Sequence, residues 1–297
     1  MKSIVPSLAL SMAVVMACWG TAVRADEMVE RTVPADARGE VEIVNISGDV
    51  QVRGWDRPEV QVHADLGHGV ERLDVQSGKG RVTINVVITS DRNAGSSDLV
   101  VEVPRASTLL VKTVSADQTI ADVRGVQRLQ AVSGSISTQV WGEEFSIKTI
   151  SGEITVQGHK MPAVANVNTV SGDVVLGDLA GELALETVTG DMQASMQPLT
   201  RGRIQTTNGD LRLQATLARD ARIDAEAING DLSFLLRQPI DAEFDIETFN
   251  GEIDNCFGPK SVRTSEFAPG NALRFKEGAG SARVRVKTLN GGVEICK

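Results

Sequence analysis

Apolar and polar residues alternate along most of this chain, and the alternation breaks at regular intervals. Phe145 and Ile147, Leu183 and Leu185, and Phe244 and Ile246 are apolar pairs two residues apart, each followed two further on by Thr149, Thr187 or Thr248. Such period-2 patterning predicts half-buried β-strands. After the threonine comes an apolar residue, then Ser, Thr or Asn, then in most copies Gly. The copies are Ser47-Gly48, Ser115-Ala116, Ser133-Gly134, Ser151-Gly152, Ser171-Gly172, Thr189-Gly190, Asn208-Gly209, Asn229-Gly230, Asn250-Gly251 and Asn290-Gly291. Three and five residues past the Ser/Thr/Asn the apolar face resumes, as in Ile154 and Val156 or Leu211 and Leu213. The phase therefore slips by one residue at each motif. A slip needs a corner, a bulge or a tight turn, for which glycine supplies the backbone freedom.

From Ser115 to Asn250 the motifs recur at a nearly constant interval, while the steps from Ser47 to Ser115 and from Asn250 to Asn290 are much longer. Self-similarity at a period of about 20 residues is the signature of a solenoid or array. Two folds satisfy the pattern. In a two-residue hairpin the apolar faces match, but the apolar residue before the loop points outward opposite an acid. In a parallel β-solenoid the motif is a corner, that residue turns inward, and each unit stacks on the last. The reading adopted is all-β: a parallel, β-helix-like solenoid of ~20-residue repeats with an N-terminal β cap. The residues expected to turn inward are Ile46, Val114, Val132, Ile150, Val170, Val188, Ile228, Phe249 and Leu289, with Thr207 the exception. About eight units at a spacing of about 4.8 Å give a rod of roughly 40 Å.

The repeated Val-x-x-Val-Ser-Gly-Asp-Val pattern resembles the β-strand-repeat proteins of domain-of-unknown-function family 4097, a family labelled putative adhesins. The ending Asn250-Gly-Glu-Ile-Asp-Asn-Cys256-Phe-Gly-Pro259, then Val286-Lys-Thr-Leu-Asn-Gly-Gly-Val-Glu-Ile-Cys296, is similar to that family's C-terminal ends. The likeness covers most of residues 39–297; Ala116, Ser135 and Gly292 depart from the pattern. It implies an extracytoplasmic β-solenoid of unassigned activity, and it brings no catalytic residues with it.

Residues 1–25 read as a signal peptide. Lys2 forms a short positive region, an apolar run reaches Trp19, and Val23-Arg24-Ala25 fits a small-residue cleavage site, which puts the mature N-terminus at Asp26. A lipid anchor would use Cys18, but Met16 and Trp19 make a poor lipobox. No later stretch is apolar enough for a membrane-spanning segment, so the expected location is periplasmic or secreted. Residues 26–110 carry shorter alternating runs, such as Val41 and Ile43 or Val82, Ile84 and Val86, and are expected to form the cap. Residues 111–297 are the repeats. Within them Pro259, Pro269, Gly270, Gly278 and Gly280 mark 257–280 as a loop insertion, with room for a short hairpin near Leu273 to Phe275.

The whole chain has a formal net charge of −9; without Lys2 and Arg24 it holds 28 basic against 39 acidic residues, or −11. That excess of acid excludes nucleic acid as a natural partner. With Cys18 removed, Cys256 and Cys296 remain, each six residues after its motif Asn, in an oxidising compartment. They are expected to form a disulfide if 257–280 bulges off the stack and leaves their units adjacent; a full coil between them would hold them too far apart. The bond would pin the edge strand from Val293 to Ile295. Buried free thiols are the alternative.

Acids follow most corners: Asp49, Asp117, Glu153, Asp173, Asp191, Asp210, Asp231 and Glu252. They suit a calcium ladder in principle, yet the spacing is not that of the nonapeptide calcium repeat. Unpaired carboxylates about 4.8 Å apart in water repel by only about 0.9 kcal/mol, so solvated corners explain them. His63 and His68 lack a third ligand for a metal. Trp55 and Trp141 share a repeat phase and fit turn packing better than a ligand platform. Arg201, Arg203, Arg212 and Arg222 give a weak basic patch with no matching acid–base set. No catalytic, metal or cofactor-binding residue is assigned. The function expected is a non-enzymatic, exported cell-envelope scaffold or interaction module, partnered by an envelope protein or surface component. Calcium-dependent binding and, behind it, a β-helix polysaccharide lyase or hydrolase are the alternatives.

Overall fold

The computed structural model describes residues 27–89, 95–265 and 269–297. The expected leader, its cleavage point at Ala25 and Asp26, and the Cys18 alternative lie outside the described residues. Among the described residues every regular element is a strand. Six precede the regular repeats: β1 (Glu27–Pro34), β2 (Glu40–Trp55), β3 (Glu59–Leu66), β4 (Val70–Gly78), β5 (Arg81–Ile88) and β6 (Ser97–Pro104). The repeats run through β7 (Thr108–Ala121), β8 (Gln127–Gln130), β9 (Ile136–Val140), β10 (Glu144–Ser151), β11 (Ile154–Gly158), β12 (Pro162–Ser171), β13 (Val174–Thr189), β14 (Met192–Asn208), β15 (Leu211–Asn229) and β16 (Leu232–Arg237). The C-terminal group is β17 (Ala242–Asn250), β18 (Ile253–Asn255), β19 (Val262–Arg263), β20 (Asn271–Glu277), β21 (Ala282–Asn290) and β22 (Val293–Cys296).

One coil consists of a strand before the corner and a strand after it, such as β10 and β11. Both run parallel to their counterparts above and below. Ile147 lies between Leu129 and Val167, and Ile154 between Ile136 and Val174. The two strands of a coil pair with neighbouring coils and not with each other, which excludes the hairpin reading and makes this a parallel β-solenoid. Inward residues of the two sheets form one continuous core cluster, with Phe145, Ile147, Ile154 and Leu185 all at or below 1% exposed.

The corner explains the sequence motif. The strand alternation continues through the Ser/Thr/Asn, and the slip comes after it, at the glycine. Gly172 has φ +135°, and a Cβ there would fall against the carbonyl oxygen of Gly152 in the next coil. Most corner glycines meet the same obstacle, so coil-on-coil contact demands glycine as much as the turn does. Two residues before the Ser/Thr/Asn, a buried threonine in several coils donates to a corner carbonyl: Thr149 Oγ1 to Ser151 O at 3.0 Å, and Thr248 Oγ1 to Gly291 O at 2.9 Å.

Because the threonine is inward, the residue after it is outward. This corrects the expectation that Val114, Val132, Ile150, Val170, Val188, Ile228, Phe249 and Leu289 turn into the core. All eight are exposed, at 44–54%.

Chain order and coil order part company at both ends. β2 lies inside the stack: Ile43 pairs with Ile84 of β5 and Val111 of β7, and Val52 with Val101 of β6 and Ile120 of β7. Residues 40–55 are thus a coil, while β4, β3 and β1 add antiparallel strands beyond β5 and β6. At the other end β21 sits between β15 and β17, with Val286 beside Ala225 and Ile246. β22 sits between β16 and β18. Val293 to Ile295 is therefore an interior strand and not the edge that the sequence suggested. Nor does 257–280 leave the sheet entirely, because β20 pairs antiparallel with β17. It makes no coil, and its Phe275 stacks on Phe244 at 4.5 Å, with Phe257 at 5.5 Å.

Cys256 and Cys296 are bonded, with Cα atoms 4.8 Å apart. The insertion of β22 beside β18 places them in adjacent coils. Asp241, between β16 and β17, fastens the entry to β21. Its carboxylate accepts from the Ser281 hydroxyl at 2.8 Å and the Gly280 amide at 2.6 Å. The Ser281 bond is the main reason its pKa lies below the ordinary carboxylate value.

Candidate interaction surface

Repetition turns each corner position into a row running along the stack. The outermost is apolar: in coil order Ile46, Val114, Val132, Ile150, Val170, Val188, Thr207, Ile228, Leu289 and Phe249. Next to it runs the Ser/Thr/Asn row, and beyond that the acids. On the other side, two residues back along the strands, lies a mixed row that includes Lys112, Lys148, Asn168, Glu186 and Gln205. Between the apolar and mixed rows runs a groove of about 400 Å³, floored by Thr149, Thr169, Thr187 and Thr206 and walled by Val170 and Val188.

The polar rows are occupied by the fold itself. Asn229 Nδ2 donates to Asn208 Oδ1 at 2.7 Å, Asn290 to Asn229 at 2.8 Å, and Asn250 to Asn290 at 2.9 Å, an amide ladder that follows coil order rather than chain order. The acids form a second ladder. Asp173 Oδ1 accepts from the Asp191 amide, Asp191 from that of Asp210, and Asp210 from that of Asp231, each at 2.9 Å. Asp231 accepts from Gly292 at 2.7 Å. These exposed carboxylates stitch corners together, a role beyond the simple solvation read from the sequence. Among the described residues no three His, Cys, Asp or Glu side chains converge as a metal site would require.

Other candidates disperse. Trp141 stacks on His159 at 3.5 Å under the Arg124 guanidinium, and Trp55 donates its indole N–H to Glu59 O at 2.9 Å. Both indoles pack turns. His63 is an exposed position of β3, and His68 lies in the turn after it. Arg201, Arg203 and Arg222 share the pre-corner sheet, where Arg222 pairs with Arg283, while Arg212 belongs to the other sheet. Acids thread that basic region: Arg201 bonds Glu182 at 2.7 Å, and Arg274 bridges Asp245 and Glu247 at 2.8 and 3.0 Å. The arrangement is a charge mosaic and not an acid–base pair around a cleft. Among the described residues no helix is long and apolar enough to cross a membrane.

The outward row escaped the sequence reading although its signal was present. Nine apolar residues at one phase, each next to a threonine or its equivalent, fix the pleat once that neighbour is placed inside.

The family model described as Toastrack DUF4097 matches residues 23–252. No curated protein sequence matches the chain. Among solved structures it is similar to a putative adhesin of Bacteroides fragilis, at 10% identity and TM-score 0.43, covering 91% of this chain and 97% of that one. It is also similar to two proteins of Parabacteroides distasonis, both at 12% identity with the same coverages. One is named a putative adhesin, TM-score 0.38, and the other a putative lipid binding protein, TM-score 0.40.

Proposed function

The chain belongs to the Toastrack DUF4097 family, and on that premise we propose that it is a non-enzymatic interaction module of the cell envelope. The segment before Asp26 exports it to the periplasm or beyond, and β1, β3 and β4 serve as the cap of its N-terminal end. The observation that carries this reading is the apolar row. A soluble rod has no folding need for a valine or isoleucine at nearly every exposed corner, and contiguous apolar surface of this extent marks a contact site. The amide and carboxylate rows support the same reading from the other side, because they already bond neighbouring coils. The acids, held this way, give calcium binding no separate support.

A photo-crosslinking residue at Val170 tests the proposal. In intact cells it is expected to trap a discrete envelope component, and one at Arg212, on the other sheet, is not. Equal trapping at both positions, or none at Val170, refutes it.

A further inference from the structure

We infer that the apolar row is a homodimer interface, in which two copies lie side by side and parallel about a two-fold axis along the stack. This rests on the interaction reading above and names its partner.

The first ground is spacing. Along the row the side chains recur once per coil, at about 4.8 Å. An extended strand offers side chains on one face at steps of about 6.7 Å, and a helix seam alternates steps of about 4.5 and about 6.0 Å. Either falls out of step within a few coils. A second copy of the same row keeps step from Ile46 to Phe249.

The second ground is shape. A ridge, the apolar row, runs beside a groove floored by Thr149, Thr169, Thr187 and Thr206. A two-fold axis along the stack carries the ridge of each copy into the groove of the other. An axis across the stack sets ridge on ridge and leaves both grooves empty. Only the parallel pair interlocks, and it is isologous, as closed dimers are. Lys148, on the far wall, then reaches toward the Ser and acid rows of the second copy, and Glu186 does so less favourably at the exposed rim.

The third ground is area. Eight half-exposed apolar side chains leave on the order of 600 Å² in water, the upper end of what a monomer exposes. The threonines of the groove floor are buried and add little, but with the mixed row on the far wall and the Ser/Asn row the face approaches the roughly 800 Å² per partner of a standard interface.

Sedimentation equilibrium of the full exported chain across about 1–200 µM, the range in which a modest interface declares itself, provides the test. The expected result is a monomer–dimer equilibrium that Ile150→Glu with Val188→Glu weakens more than tenfold, with an unchanged circular dichroism spectrum. Val132→Thr with Val188→Thr, which keeps shape, is expected to weaken it less. Val170→Cys should form an intermolecular disulfide under mild oxidation, because the parallel axis brings each Val170 to its own counterpart; Arg212→Cys should not. A monomer at every concentration, or a dimer indifferent to the row, overturns the homodimer. A dimer in which Val170→Cys stays unlinked overturns the parallel arrangement. If the chain is monomeric while Val170 still traps an envelope component, the homodimer fails and the interaction module stands; if both fail, the row is structural only.

Discussion

Two regions of this rod are built from the same unit and assembled by different rules. Between β7 and β16 each coil rests on the coil that follows it in sequence, so a contact spans about one repeat. At the C-terminal end Asn290 pairs with Asn229, 61 residues away, and with Asn250, 40 residues away, because the last coil is inserted beneath the one before it. β2 is inserted in the same sense at the start. The entropic cost of that rearrangement is small: tripling a loop costs about 1 kcal/mol. The result is that neither the first coil nor the last is an open end. Antiparallel strands take the outer places, β4 and β1 at one end and β20 beyond β17 at the other, where an exposed parallel edge would invite pairing with another chain; among the described residues only the three-residue β18 is left with a parallel edge.

The largest test of that difference is a buried charge. Val286 of β21 and Ile147 of β10 are both 0% exposed. Because the last coil is interior, Val286→Asp is expected to cost as much as Ile147→Asp, several kcal/mol each, read from the urea midpoint. If Val286→Asp merely frays the C-terminus while the rest unfolds at the wild-type midpoint, the inserted coil is an appendage and the comparison fails. Next comes the disulfide. Its 40-residue loop gives an entropic stabilisation of up to about 4 kcal/mol. Reduction should lower the melting temperature of the whole stack without freeing β21 and β22 on their own, since both lie between other strands.

Much of the middle is legible in the sequence because a coil is a local object. Phe145, Ile147 and Thr149 announce a strand face, Gly152 announces the corner, and Ile154 and Val156 announce the next face. The matched phases of Cys256 and Cys296 also announce their neighbourhood. Coil order at the ends is not legible, since every coil offers the same ladders. The amide of Asn290 fits Asn229 and Asn250 equally well, and nothing in either residue says which coil lies between. The direction of Ile150 is lost for a local reason: placing the slip one residue early, before Ser151, turns the whole apolar row from outside to inside.

The corner itself separates close approach from turn preference. Gly172→Ala puts a methyl against the Gly152 carbonyl at φ +135°, and a loss of about 2–3 kcal/mol is expected. Gly258 has φ +115° with nothing within 4 Å of a Cβ, so Gly258→Ala should lose less. A still smaller effect marks the C-terminal junction. Asp241 is depressed in the folded chain, so its contribution is present above the ordinary carboxylate value of about 3.9 and is lost as pH falls through the lower folded value. Below about pH 4, hydrogen exchange in β21 should accelerate relative to β12. Asp241→Asn should remove most of that difference by accelerating β21 at neutral pH as well.

The smallest expected effect is also the sharpest, because the inward and outward readings of one residue differ by an order of magnitude. Ile150 is 54% exposed, whereas its neighbour Thr149 is 6%. If the row is outward, Ile150→Asp places a hydrated charge on the surface, and stability measured in dilute, monomeric protein should change by no more than about 0.5 kcal/mol. If the row were inward, the same substitution would bury an unpaired carboxylate and cost several kcal/mol. Asp191 supplies a reference of known direction. Asp191→Ala removes the acceptor for the Asp210 amide and should cost about 1 kcal/mol, while Asp191→Asn keeps an acceptor and should be nearly silent. The order expected in one urea series is therefore Ile147→Asp far below Asp191→Ala, with Ile150→Asp and Asp191→Asn near wild type. An Ile150→Asp value close to that of Ile147→Asp would return the row to the core and remove the surface on which both the interaction module and the dimer depend.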